Sequence, residues 1–340
     1  MGDNMSIKDQ DIGKLPSNMK RDRLIKSQVT TDPHYGKYPS DRSIQELFDA
    51  GVFFIDKPAG PTCHQIDSWV KQMLDVSKVG HAGTLDPNVT GVLPIGVGRA
   101  ARGLHVLSQT GKEYVALMKL HRPVSEKKVR SVLDSFVGVI EQLPPVRSAV
   151  KRVKRKRRIY YLEFLEMEES YVLFRVGCQA GTYIRTLCVD VGRKLKIKAH
   201  LESLRRTRVG NIMVDDLCTL HDMKDGYIFW KDDGDDEVYK TILHPIESLF
   251  SFIPHVVVRD SAVDAICHGA DLAIPGVVEL DSGIRRNDAV AVMTLKGEVV
   301  GFGRSTCSTE EMIEKDVGMC VSIDQVYMKK GTYPSIWKKH

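Results

Sequence analysis

The sequence has no CxxC pair, no HExxH, no GxGxxG turn and no apolar run approaching the roughly 20 residues that cross a bilayer. Each absence removes a class. Seven cysteines (Cys63, Cys178, Cys188, Cys218, Cys267, Cys307, Cys320) are scattered and odd in number, so neither a disulfide framework nor a thiolate zinc site follows. Eleven histidines without cluster spacing argue against a catalytic metal. "GVGRA", Gly96 to Ala100, looks like a phosphate loop but lacks the Walker lysine-hydroxyl pair, which argues against a nucleotide cofactor. No apolar signal segment opens the chain, so a reducing intracellular compartment is the default expectation. Met1 to Ser6 matches the myristoylation pattern, but that pattern fixes too few positions to carry weight.

What remains is an ordinary globular composition, 42% hydrophobic and 27% charged over 340 residues, enough for a catalytic-sized body plus a smaller appended unit. The net charge of +5 is unevenly placed. Seven of the eight residues in "KRVKRKRR", Lys151 to Arg158, are basic, whereas "KDDGDDE", Lys231 to Glu237, is acidic, Gly-interrupted and read as a solvated loop.

Residues 1–45 are polar and rich in turn formers, and are read as an arm that packs on the C-terminal module. Order begins at Gly51 with "VFFI", Val52 to Ile55, a buried strand ended by the rigid "DKPAGP". Thr62 can cap a helix on which Ile66, Trp69, Val70, Met73 and Leu74 face a core. Glu113 to Leu120 alternates as a strand with Tyr114, Ala116, Met118 and Leu120 on one face, and "KVRSVLDSFVG" is a helix with a Gly stop. "IYYLEFLEME" and "YVLFRVGC" are strands, and Tyr183 to Leu195 is a helix. From Pro254 the texture changes to short strands broken by glycines. The fold class is therefore α+β, with a body over 46–251 and a small β-rich module over 252–335.

One carboxylate draws attention. Asp86, in "VGHAGTLDPNVTGVLPIGVG", lies in a Gly-rich turn followed by an apolar run. Taken alone, Asp-Pro is common turn chemistry. Yet Gly80, Gly83 and Gly91 allow close backbone approach, and Leu85, Val92 and Leu93 imply an apolar wall, a setting in which an acid can attack carbon or move a proton. Arg185, between Tyr183, Ile184 and Leu187, needs an anion if it is partly desolvated.

In order along the chain, "GVFFIDKPAGPT", "GHAGTLDPNVTGVLPIG", "GKEYVALMKL", "PPVRSAVKRVKRKRRIYYLE" and "AGTYIRTL" with "LESLRRTRVG" closely resemble the TruB branch of pseudouridine synthases. "HGADLAIPGV", His268 to Val277, resembles a PUA RNA-binding domain. With the arm and "VRSAVKR", the resemblance is to the dyskerin-type synthases of archaeal and eukaryotic H/ACA ribonucleoproteins. It implies the pseudouridine synthase catalytic fold, a mixed and largely antiparallel sheet with flanking helices, and a reaction without cofactor or metal. Asp86 then matches the catalytic aspartate, and whether it adds to C1′ of the ribose or assists elimination stays open.

The resemblance further implies that Tyr114 stacks on the target uracil and that Arg185 pairs with Asp86. Lys57 and Pro58 would shape the floor, Tyr183 and Leu204 would line the base, and His81 would help hold the flipped nucleotide, with a plain loop role for His81 equally open. Lys151, Arg152, Lys154, Arg155, Lys156, Arg157 and Arg158 fall in the segment matching a mobile thumb and would clamp phosphates; a nuclear-localisation run and a solvated strand end are the competing readings. Ala82 and Asn88 stand where relatives vary.

The implied partners are an H/ACA guide RNA, substrate rRNA or tRNA, and three small proteins: a kink-turn binder, a small ribbon protein on the catalytic body and a β-barrel protein near the thumb. The competing functions are a stand-alone tRNA pseudouridine synthase and a non-catalytic RNA scaffold; an acid, an aromatic and a cation at matched places speak against the scaffold. A chain ending at His340 without long Lys-rich tails suggests an archaeal-like cytoplasmic protein, or a nucleolar one if the source is eukaryotic.

Overall fold

The structure is a computed structural model that describes residues 15–144, 151 and 153–335. The described strands form two sheets. The larger, ten-stranded, runs Leu243–Pro245, Gly51–Lys57, Thr90–Val97, Ala199–Val209, Lys112–Leu120, Tyr171–Cys178, Arg155–Glu168, Gly138–Gln142, with Val79–His81 and Ile212–Met213 as side branches. Every pairing in it is antiparallel except one. Thr90–Val97 meets Ala199–Val209 in parallel through Thr90 opposite Arg205 and Gly91 opposite Arg206. That junction joins the two halves of the body, and Asp86 lies just before it.

Gly91 is required there. Its φ of +99° lies in the left-handed region, and a Cβ would come within 2.1 Å of the Arg206 carbonyl oxygen, so no larger residue lets the two strands meet. The close approach anticipated at Gly83 and Gly91 is thus an approach to Arg206, since a Cβ on Gly83 would also meet that guanidinium at 3.1 Å, whereas one on Gly80 would meet only Ala101 in ordinary contact at 3.7 Å.

The alternating strand over Lys112–Leu120 buries Ala116, Met118 and Leu120 against the helices Glu126–Asp134 and Ile184–Leu195. The Cys63–Leu74 helix begins at the Thr62 capping box and buries Cys63, Ile66, Val70 and Leu74. Trp69, expected in that core, is 43% exposed. At 100° per residue it sits about 100° from the centre of the narrow stripe those four residues define. The acidic Lys231 to Glu237 stretch is only partly a loop: a single wide turn over Phe229–Asp233 continues the Leu220–Ile228 helix before the chain re-enters a helix at Glu237–Ile242.

The C-terminal module is a seven-stranded sheet that carries two helices the sequence did not suggest, Asp260–Cys267 and Thr309–Glu314. Its edge strand comes from the other end of the chain. Arg23–Ile25 pairs antiparallel with Val277–Asp281, Arg23 opposite Asp281, and their side chains form an ion pair at 3.1 Å. The Lys296 ammonium gathers the carbonyls of Asp32, Pro33 and Tyr35. The module also shares a core with the body, in which Val52, Phe54 and Leu104 pack with Met293, Phe302 and Tyr327, and Arg99 donates to the Tyr327 carbonyl at 2.6 Å. Among the described residues, no helix is long and apolar enough to cross a membrane.

Candidate active site

The turn carrying Asp86 is held from beneath by three buried groups. Lys57 is completely buried, and its ammonium donates to the carbonyls of Pro58 and Pro87 at 2.8 Å and of Val89 at 3.0 Å. Burial holds its pKa below the ordinary lysine range, with the Asp86 carboxylate acting weakly in the other direction. Arg206 is 1% exposed and donates to the Val92 carbonyl at 2.7 Å and the Gly83 carbonyl at 2.6 Å. The Cys63 thiol meets the Leu85 backbone, accepting its N–H at 3.2 Å, and burial pushes the thiol up. Within the turn, the Val89 N–H donates to the Asp86 carbonyl and the Gly60 N–H to that of Pro87.

These contacts fix the backbone and leave the carboxylate itself forward. Asp86 Oδ2 lies 2.9 Å from Arg185 Nη2, with the two side chains 55% and 48% exposed. The apolar wall anticipated around Asp86 therefore does not enclose it: Leu85, Val92 and Leu93 are buried in the body, not arrayed around the acid. An ion pair this open is worth little for stability, about 1 kcal/mol or less. It orients the acid and keeps a cation beside it.

Arg185 sits in the first turn of Ile184–Leu195, whose N-cap is Tyr183. Tyr183 caps that helix and is not its first residue. Its backbone N–H and C=O are both taken by the side chain of the buried Gln142, at 3.0 and 3.1 Å. Gln142 ends the strand that pairs with the basic segment, so it links that segment to the helix carrying Arg185.

Tyr114 and Leu204 both pack between the two halves' cores, on neighbouring strands. Burial raises the pKa of the Tyr114 phenol, the charge of the nearby Arg206 lowers it and that of Asp86 adds to the rise. A neutral aromatic packed between two cores is a platform for a planar base. Pro58 is exposed, and its carbonyl is one of the three that Lys57 holds. His81 is on the Val79–His81 strand; its Nδ1 is 2.7 Å from Asp67 Oδ2, and its Nε2 is 3.4 Å from the Thr84 hydroxyl.

The second half of the basic run is strand. Regular pairing begins at Arg155, four residues before the expected Ile159, with Arg155 to Arg158 opposite Gln142 to Val139. Lys154 is 75% exposed, and Arg157 donates to the Gly181 carbonyl at 3.1 Å, at the foot of the loop that leads to Arg185. Lys151 and Lys156 are exposed, and Arg152 lies outside the described residues. Sequence reasoning missed Arg206, Gln142 and Asp67, and also the bidentate Arg205–Asp56 pair at 2.8 Å that ties the strand leading to Lys57 to the Ala199–Val209 strand. A buried arginine or glutamine has no periodic signature; its partners are backbone carbonyls distant in sequence.

Comparison with known proteins agrees with this architecture. Residues 71–126 and 121–184 match the TruB family pseudouridylate synthase N-terminal domain, and 185–251 match the tRNA pseudouridylate synthase B C-terminal domain. A PUA domain matches 254–327 and the DKCLD domain 13–67. The probable tRNA pseudouridine synthase B of Methanosarcina barkeri is 49% identical, covering 96% of this chain and 97% of its own length. That of Pyrococcus furiosus is 47% identical over 96% of each. Among solved structures, a chain from the crystal structure of a Cbf5-Nop10-Gar1 complex superposes with a TM-score of 0.92 at 47% identity, covering 95% of this chain and 99% of that one. A chain from an H/ACA RNP bound to a substrate RNA containing 2′-deoxyuridine gives 0.90 at 45%, covering 95% and 100%. With its full-length relatives, its PUA domain and its α+β body, the chain belongs to the TruB family of pseudouridylate synthases, as an RNA pseudouridine synthase of dyskerin type.

Proposed function

We propose that the protein is the catalytic subunit of an H/ACA guide-RNA particle and that Asp86 is its catalytic carboxylate. The observation that carries the site is the Asp86–Arg185 pair at 2.9 Å, presented on a turn whose backbone is locked by Lys57 and Arg206. The reaction breaks the N1–C1′ bond of uridine, turns the base and joins C5 to C1′, after which the C5 proton leaves and N1 takes one up; atoms balance without a co-substrate. A carboxylate meets the positive charge that develops at C1′ and serves as a proton acceptor afterwards. Arg185 keeps it anionic and aimed, and Tyr114 supplies the face on which the base turns. Tyr183, Leu204 and His81 line the approach.

The exposure of the acid fits a reaction on a flipped nucleotide. The base must leave its stack, at roughly a few kcal/mol, and it is the entering RNA that closes the site from water. The exposed cations Lys151, Lys154 and Lys156, and Arg155, Arg157 and Arg158 on the strand, meet phosphates, and Arg157 links that clamp to the Arg185 loop. The similar structures include complexes with Nop10, Gar1 and RNA. Those partner classes, a guide RNA, substrate rRNA or tRNA, a kink-turn binder, a ribbon protein and a β-barrel protein, are the ones proposed here, in a cytoplasmic particle or, in a eukaryote, a nucleolar one.

The names of the curated relatives favour a second reading, a stand-alone tRNA enzyme. Tritium release from RNA labelled at uracil C5 separates the two. Release that needs guide RNA and partners, and is lost in Asp86→Asn while RNA binding persists, is the expected result. Release from bare tRNA favours the second reading, and an active Asp86→Asn removes the acid from the mechanism.

A further inference from the structure

Outside the chemistry assigned to Asp86, the described residues contain a group suited to a cation: His64, Asp67 and His81, whose donor atoms all lie within 4.8 Å of one another. No local spacing suggests it. His64 and Asp67 sit on one face of the first turns of the Cys63–Leu74 helix, three residues apart, and His81 comes from the Val79–His81 strand. We infer that these three side chains form a Zn²⁺-class transition-metal site beside the turn that carries Asp86.

The geometry points this way in three respects. Asp67 Oδ2 faces the Nδ1 atoms of both imidazoles, at 2.7 Å for His81 and 3.8 Å for His64. The other carboxylate oxygen, Oδ1, is buried and finds no hydrogen-bond donor among the described residues. Neither lysine nor arginine forms an ion pair with Asp67 among the described residues, so the only positive charge the carboxylate can meet locally is a protonated imidazole or a cation. Two imidazoles and a carboxylate are a donor set that suits zinc and its neighbours, with the remaining positions left to water.

The site is half built and half free. The side chains of His81 and Asp67 are 8% and 17% exposed and held in place, whereas that of His64 is 86% exposed, able to swing and open to entering metal. Ligands around a tetrahedral zinc stand about 3.3 Å apart, given bonds of about 2.0 Å, so binding displaces the proton shared by His81 and Asp67 and moves the pair apart by a few tenths of an ångström. The neighbouring Cys63 thiol is not a ligand, because it is committed to the Leu85 backbone. Occupancy places a fixed cation on His81 and reorients the ring that faces Thr84, two residues from Asp86. On the reading that the target uridine enters a cleft lined by the Asp86 turn, zinc then inhibits.

The test uses the full chain freed of metal with a chelator. Zinc calorimetry and the visible absorption of added Co²⁺ are measured on wild type, His64→Ala, Asp67→Asn and His200→Ala, the last breaking the separate exposed His121–His200 pair. One metal per chain is expected, with affinity falling about tenfold or more in His64→Ala and Asp67→Asn but not in His200→Ala. Circular dichroism confirms that each variant is folded. Absence of saturable binding, or equal binding in all four proteins, overturns the site. Tritium release without zinc tests the Asp86 reading separately; added zinc is expected to suppress release in wild type and to spare His64→Ala, and equal suppression of both overturns the link to the cleft.

Discussion

Replacing Lys57 by methionine keeps the length and apolar stem of the side chain and removes the ammonium. In the native protein that ammonium reaches three carbonyls at 2.8 to 3.0 Å from a position with no solvent exposure. Pro87 keeps its bond from the Gly60 N–H, so the main loss falls on the carbonyls of Val89 and Pro58. An orphaned buried acceptor costs about 1 to 3 kcal/mol, and desolvation of the native ammonium, visible in its lowered pKa, gives part of this back. A net loss of about 3 kcal/mol is expected, enough to lower the urea midpoint clearly. The loss should be local as well as global. Val89 N–H, which closes the turn onto the Asp86 carbonyl, should exchange with deuterium much faster, and tritium release should fall more than RNA binding. A Lys57→Met protein with an unchanged midpoint and native protection at Val89 would refute the idea that this lysine holds the catalytic turn.

Three other outcomes follow from distances and burial. Arg185→Met should leave the thermal midpoint nearly unchanged, within about 1 kcal/mol, because the pair with Asp86 is half exposed, yet reduce tritium release at least about tenfold; a large stability loss contradicts the open pair. Serine at Lys154, Arg155, Lys156, Arg157 and Arg158 together should weaken RNA binding and flatten the plot of log affinity against log salt by about 0.7 to 0.9 per lost phosphate contact, whereas an unaltered slope removes the clamp. Lys112, 4% exposed and donating to the carbonyls of Leu107, Ser108 and Thr110, is lowered by burial to about 8. Its charged form is the disfavoured one in the folded state, so stability rises as pH climbs through 8 towards 10.5. Wild type should gain about 2 kcal/mol relative to Lys112→Met between pH 7.5 and 9.5, read from urea midpoints, and a falling difference refutes the assignment.

Much of the framework is legible because it rests on local periodicity. The strand over Tyr171–Cys178 and the helix ending at Leu195 fall where alternation and the 3.6-residue repeat put them. Asp86 and Arg185, nearly a hundred residues apart, were matched by family blocks, and the fold places them in contact. What stayed hidden depends on partners that no window contains. Lys57 was read as floor, but its ammonium is a clamp on carbonyls 30 and 32 residues away. Gly83 and Gly91 signalled close approach correctly without revealing that the approaching group is Arg206, while Gly80 only touches Ala101. Trp69 fits a generous apolar stripe and fails a narrow one. The three residues Arg23–Ile25 are all exposed, so they carry no alternation, and only tertiary pairing makes them a strand.

That small strand bears on how the chain is made. Arg23 leaves a ribosome before its register partner Asp281, which follows 258 positions later. At roughly 5 to 20 residues per second, the interval is on the order of 10 to 50 s, far longer than a hairpin needs to form. Throughout that time the Arg23–Ile25 segment has no partner strand, although Ser17 of the same arm donates to the Gly210 carbonyl of the body. The C-terminal sheet cannot complete its edge until the arm returns, so a strand synthesised well before its partner is among the last to be placed in that sheet.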